Sequence, residues 1–245
     1  VTTPGANSVT YTLTRTWTAT DECGNTSTHV QVITVEDNTN PIILTCINAN
    51  QEVETDAGLC NFTQTGTAWD ITADDNCGIA TITYVLSGAT TASGSTTLSG
   101  VEFEVGTTTV TWTVTDNAGN FATCEFDVIV TDDQDPSFVT CGAAGNQSVS
   151  TDADACFYTH QDGTWDAVAT DNCGSGAGLA VTYELTGATT GSGLSLDGVV
   201  FNLGTTTVTW TATDPSGNTA LCVFDVIVND TELPSITCNA DIESC

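Results

Sequence analysis

The sequence predicts an all-β chain built from tandem, disulfide-stapled sandwiches, and three observations carry that prediction. First, the stretch from Gly106 to Val130 alternates with period two. Val110, Trp112 and Val114 are interleaved with Thr109, Thr111 and Thr113, the pattern of a half-buried strand. Second, the stretch returns at Gly204 to Val228 and, more loosely, at Thr12 to Val35, so that Trp17, Trp112 and Trp210 lie 95 and 98 residues apart. Self-similarity at such a period marks an array of like domains. Third, Cys46, Cys60, Cys77 and Cys124 recur as Cys141, Cys156, Cys173 and Cys222.

Taken in order, residues 1–40 read as the C-terminal part of an incomplete unit. Its cysteine, Cys23, lies in the turn from Asp21 to Asn25, and His29 stands where the later units carry a closing-strand cysteine. The linker Glu36 to Pro41 follows; proline ends strand pairing and polar residues keep a hinge wet. The first full unit is predicted over residues 41–135. Ile42, Ile43 and Leu44 begin a strand ending at Cys46. Thr55 to Gly58 form a turn, and a strand runs through Cys60 and Phe62 towards Trp69. Asp74 to Gly78 turn the chain again, and Ile79 to Leu86 alternates cleanly. Gly88 to Gly100 is a small-residue loop with one short edge strand. Val101, Phe103 and Val105 form a further strand before the hairpin that closes the unit. Six or seven short strands with no helix-period segment predict two packed sheets of immunoglobulin-like architecture. Residues 136–231 repeat the plan, with Trp165, Tyr183 and Phe201 standing for Trp69, Tyr84 and Phe103. The clearest difference is the insertion Ser175 to Gly178, and residues 232–245 open a further unit.

Eleven cysteines place the chain in an oxidising, extracellular compartment. No CxxC pair suggests zinc. Strand order favours Cys46 with Cys124 and Cys141 with Cys222, tying first strand to last. It also favours Cys60 with Cys77 and Cys156 with Cys173, pinning a strand to the next turn. Four cysteines allow three connectivities, so the other pairings stay open. Closing a loop of roughly 80 residues contributes up to about 4 kcal/mol in the chain-entropy account. Cys23, Cys238 and Cys245 are left to pair outside the segment or between chains.

Thirty-one acidic residues oppose a single basic one, Arg15, for a formal net charge of −30. Such a field repels nucleic acid and anionic membrane and attracts cations. No apolar run approaches the ~20 residues of a membrane helix, and no signal peptide is present, as expected of an interior piece. Catalysis has little to build on. The histidines, His29 and His160, fall in different units and suit surface or capping roles, and the paired carboxylates recur in every unit.

Calcium is the sharper expectation. It takes six to eight oxygen ligands, which adjacent turns can supply, and in an immunoglobulin-like sandwich the relevant loops gather where the chain enters. Asp37, Asn38 and Asn40 of the first linker would then face Asp74, Asp75, Asp116 and Asn120. At the next junction Asp132, Asp133 and Asp135 would face Asp171, Asn172, Asp214 and Asn218, with acids such as Asp56 closing the site from below. The competing reading is that Asp and Asn stand here because they make turns through their own backbone.

The strand GTTTVTWTxTD, the turn D-x-x-G-N, the closing-strand cysteine and the linker D-x-x-x-P-x-x-x-C together resemble the hyalin repeat (HYR) family. The likeness covers both full units and the start of the next, and the N-terminal piece resembles a cysteine-in-turn variant from very large secreted proteins of gliding bacteria. The resemblance implies an extracellular module in tandem arrays, associated with adhesion and matrix contact, and carries over no catalytic residue. The expected role is therefore a non-enzymatic stalk or filament segment whose partners are neighbouring repeats and other copies. A module that recognises a glycan or protein ligand through its loops is the second reading.

Overall fold

The computed structural model describes residues 11–142, 145–174 and 178–236. The chain divides into two compact units, residues 1–132 and 133–245, and all regular structure among the described residues is β.

The first unit opens with a hairpin, β1 (Tyr11–Thr20) and β2 (Thr26–Val35), paired with each other only. Its sandwich is made of β3 (Ile42–Thr45), β4 (Gln51–Glu54), β5 (Asn61–Thr63), β6 (Thr72–Asp74), β7 (Ile79–Gly88), β8 (Ala92–Ser95), β9 (Glu102–Glu104), β10 (Gly106–Asp116) and β11 (Phe121–Thr131). One sheet has the order β4-β11-β10-β7-β8, and the ribbons β3-β6 and β5-β9 make up the other layer. Nine strands thus replace the six or seven expected. The additions are short pieces such as β4, whose four residues QEVE carry one apolar side chain. Four residues cannot show a period, and β4 is secured by parallel pairing to β11, with Val53 opposite Val130.

The alternation predicted for β10 is what builds the core. Val110, Trp112 and Val114 are fully buried, beside Phe126, Val128 and Val130 of β11. Ile43, Phe62, Ile71 and Phe103 meet them from the short ribbons and their loops. Trp69, which lies in a turn and not on a strand, stacks edge-on against Phe103 and Phe126 at 5.7 and 6.3 Å. The small-residue stretch also has a packing reason. A Cβ on Gly94 of edge strand β8 would stand 2.4 Å from the Tyr84 hydroxyl, closer than atoms can approach.

The second unit repeats the plan with β12 (Ser137–Thr140), β13 (Gln147–Ser150), β14 (Phe157–Thr159), β15 (Val168–Thr170), β16 (Ala180–Gly187), β17 (Gly191–Gly193), β18 (Val200–Asn202), β19 (Gly204–Thr213) and β20 (Thr219–Asn229). Its main sheet runs β13-β20-β19-β16-β17, over a core centred on Trp165, Trp210, Phe201 and Phe224. Of the insertion noted above, residues 175–177 lie outside the described residues, as do Cys238 and Cys245.

Two disulfides join first strand to last as strand order favours. Cys46 bonds Cys124 with Cα atoms 6.1 Å apart, and Cys141 bonds Cys222 at 5.6 Å. The other expected pairs are corrected. Cys77 and Cys156 carry free thiols, whereas Cys60 and Cys173 are each disulfide-bonded. Geometry explains why Cys60 does not reach Cys77. Cys60 precedes Asn61, which pairs with Glu104 beside the start of β10. Cys77 lies at the other end of that strand, where the Asn117 side chain donates to its carbonyl. The eleven residues of β10 span about 35 Å, and a disulfide requires Cα atoms within roughly 7 Å. The repeated plan of the second unit separates Cys156 from Cys173 in the same way.

Candidate cation site

Three segments of the first unit converge at the end of the sandwich where the linker enters. Asp37 comes from that linker, Asp75 from the loop between β6 and β7, and Asp116 from the end of β10. One carboxylate oxygen of each lies within 4.8 Å of the others.

Turn chemistry holds Asp37 and Asp75 through one oxygen each and Asp116 through both. Asp37 Oδ1 accepts the Thr39 backbone N–H at 3.0 Å and the Asn76 side chain at 3.4 Å. Asp75 Oδ1 accepts the Cys77 N–H at 2.8 Å. Asp116 Oδ1 accepts the N–H groups of Ala118 and Asn120 at 2.8 Å each, and its Oδ2 takes the Asn120 side chain at 2.7 Å. The Asn120 amide also reaches the Asp37 carbonyl at 3.3 Å, tying linker to hairpin. The turn reading of these residues is therefore correct, but it is incomplete. Asp37 Oδ2 and Asp75 Oδ2 are buried and have no hydrogen-bond partner.

The electrostatics agree with a concentrated negative site. Burial pushes the Asp116 carboxyl up, but the hydrogen bonds from Asn120, Ala118 and Gly119 outweigh it and hold the group below the usual carboxylate range. Partial desolvation, then the charge and hydrogen bond of Asp37 and the charges of Asp75 and Asp116, push the Cys77 thiol up.

The other residues named for this site stand outside the cluster. Asp74 is exposed and caps the Asp75 N–H at 2.9 Å. Asn38 and Asn40 are exposed, and Asn40 lines a shallow groove with Thr39, Ile42, Leu44, Asp74, Asp75 and Asn76. Asp56 accepts the N–H of Thr63 on β5. Asp132 is buried and takes the Thr55 hydroxyl at 3.4 Å, while Asp133 is exposed and Asp135 lies in the strand-free linker beyond it. In the second unit Asp171 accepts the Cys173 N–H at 2.8 Å, and Asp214 holds the backbone and side chain of Asn218 at 2.8 Å each. These are the turn contacts of Asp75 and Asp116 over again.

His160 serves packing. Its ring stacks on Trp165 at 3.9 Å and 9°, with Nε2 3.2 Å from Asp162. Asp162 is in turn held low by hydrogen bonds from Thr164. His29 stands opposite Trp17, as Cys124 stands opposite Trp112.

Comparison with known proteins places the repeat. The HYR domain matches residues 36–130 and again 132–228. This chain belongs to the HYR family. Hyalin of Lytechinus variegatus is 33% identical over 244 residues, covering 96% of this chain and 40% of hyalin. The sushi, von Willebrand factor type A, EGF and pentraxin domain-containing protein 1 of Rattus norvegicus is 31% identical over 142 residues, 57% of this chain and 4% of that protein. The serine-rich adhesin for platelets of Staphylococcus aureus is 30% identical over 155 residues, 62% of this chain and 6% of the adhesin. The HYR chain thus spans well under half the length of each of these relatives. Hyalin is an animal protein, so the expected gliding-bacterial source gains no support. Among solved structures, the protocadherin GammaB4 extracellular domain aligns over 90% of this chain and 40% of its own, at 16% identity and a TM-score of 0.37, a likeness too loose to carry more.

Proposed function

We propose that this pair of HYR domains is a load-bearing segment of an extracellular adhesive array, a stalk or filament, and that it performs no catalysis. The disulfides suit an oxidising exterior, and relatives named hyalin and serine-rich adhesin for platelets favour a surface role. The observation that carries the reading is where the Cys46–Cys124 bond sits. Tension on an array enters a sandwich at its first strand and leaves at its last. The bond joins β3's end to β11 and bypasses the chain between, its ends 78 residues apart in sequence. Cys141–Cys222 does the same across a separation of 81. A pulled domain can therefore lose its pairing at the edges without extending its interior. The recognition reading has no comparable support, since the turn contacts of Asp75 and Asp116 recur at Asp171 and Asp214.

Single-molecule stretching of the chain tests this. At up to ~3.6 Å per extended residue, each bypassed loop hides about 280 Å of contour length. That length should be released on unfolding only after reduction. Full-length release from the oxidised chain would sink the proposal.

A further inference from the structure

We propose that Asp37, Asp75 and Asp116 form a calcium site at the linker end of the first sandwich. Their backbone and amide contacts account for one oxygen of Asp37 and one of Asp75. They leave Asp37 Oδ2 and Asp75 Oδ2 buried without a donor, although Asp37 is only 9% exposed and Asp116 only 2%. Buried carboxylate oxygens are costly unless a donor or a cation faces them. The protein cannot supply that cation. The chain has no lysine, and its one basic residue, Arg15, lies on β1 opposite Gln31. A cation from solution would satisfy both oxygens and offset the charge of all three carboxylates at once.

The donors select its class. Three carboxylates make an all-oxygen set, which suits a hard ion. Calcium tolerates the irregular geometry that three unrelated loops provide, and magnesium demands a near-octahedral cage. Bound calcium would pin the linker carboxylate of Asp37 to the Asp75 loop and the hairpin turn. This extends the load-bearing reading, since the pinned segment is the one through which tension enters, but the site stands or falls separately.

The test is calorimetric calcium titration of the full chain, chelator-stripped and oxidised, beside Asp75→Asn and Asp74→Asn. Asparagine at 75 keeps an oxygen to accept the Cys77 N–H, and both variants remove one charge. Wild type should bind saturably, Asp75→Asn should lose one calcium equivalent or bind it at least tenfold more weakly, and Asp74→Asn should match wild type. Magnesium should bind at least tenfold more weakly than calcium. Absence of a saturable site, equal weakening in the two variants, or equal affinity for both ions would overturn the assignment. Circular dichroism of Asp75→Asn would separate a lost site from a lost fold, and Asp37→Asn provides a second route if that variant unfolds. Failure here would leave the disulfide-locked length untouched, whereas failure of the stretching experiment would leave calcium binding untouched.

Discussion

The hairpin β1-β2 and the hairpin β10-β11 have the same ladder and the same turn, yet one is open and the other is the centre of a core. Trp17 pairs with His29 and is 59% exposed, while Trp112 pairs with Cys124 and is fully buried. The turns are nearly interchangeable. Asp21 accepts the N–H groups of Cys23 and Asn25 and the Asn25 amide, as Asp116 does from Ala118 and Asn120. The inward faces are not. Arg15 opposite Gln31 takes the place of Val110 opposite Phe126. A hairpin therefore needs only alternation and turn chemistry, while burial needs β7, β9 and the short ribbons laid over it.

The largest effect should separate the two tryptophans. Trp112→Ala should cost its sandwich about 3–5 kcal/mol, and Trp17→Ala less than about 0.5 kcal/mol, by denaturant unfolding. Comparable losses would mean that Trp17 is packed in solution. Next comes the staple, which the hairpin lacks. Replacing Cys46 and Cys124 together by serine should lower stability by about 2–5 kcal/mol, read as a shift in melting temperature, and leave the β1-β2 amide signals unchanged.

A smaller difference lies in acid. Side-chain and backbone hydrogen bonds from Asn25 hold Asp21 low. Asp116 is held low by Asn120 against the opposing pull of its burial. A carboxyl depressed in the folded state stabilises the fold above its unfolded pKa, and that contribution is lost as pH falls through the folded value. Both should stay ionised below the usual carboxylate range in an NMR titration, and Asn25→Ala or Asn120→Ala should raise the matching group. An ordinary Asp21 beside a depressed Asp116 would show that the turn needs its sandwich. The smallest effect is on labelling alone. Alkylation of the unreduced protein followed by peptide mapping should mark Cys23, Cys77 and Cys156, and a Cys60–Cys77 or Cys156–Cys173 peptide would contradict the structure.

Much of this molecule was legible in its residues. Alternation of Val110, Trp112 and Val114 determined the central strand, the D-x-x-G-N turn determined the hairpin, and the repeat determined that the unit recurs. These signals are local, and the Cys46–Cys124 pairing followed because first and last strands of such a unit lie close. Other features had no local signature. Four residues from Gln51 could not announce a parallel strand. Cys60 and Cys77 look like near neighbours in sequence but sit at opposite ends of β10. Above all, an aspartate that closes a turn and one that could hold a cation are spelled alike. Only the fold, by bringing Asp37, Asp75 and Asp116 within 4.8 Å and leaving two of their oxygens buried without donors, separated them from Asp74, Asn38 and Asn40. The reason is that convergence of distant loops is a property of distance in space and not of spacing along the chain.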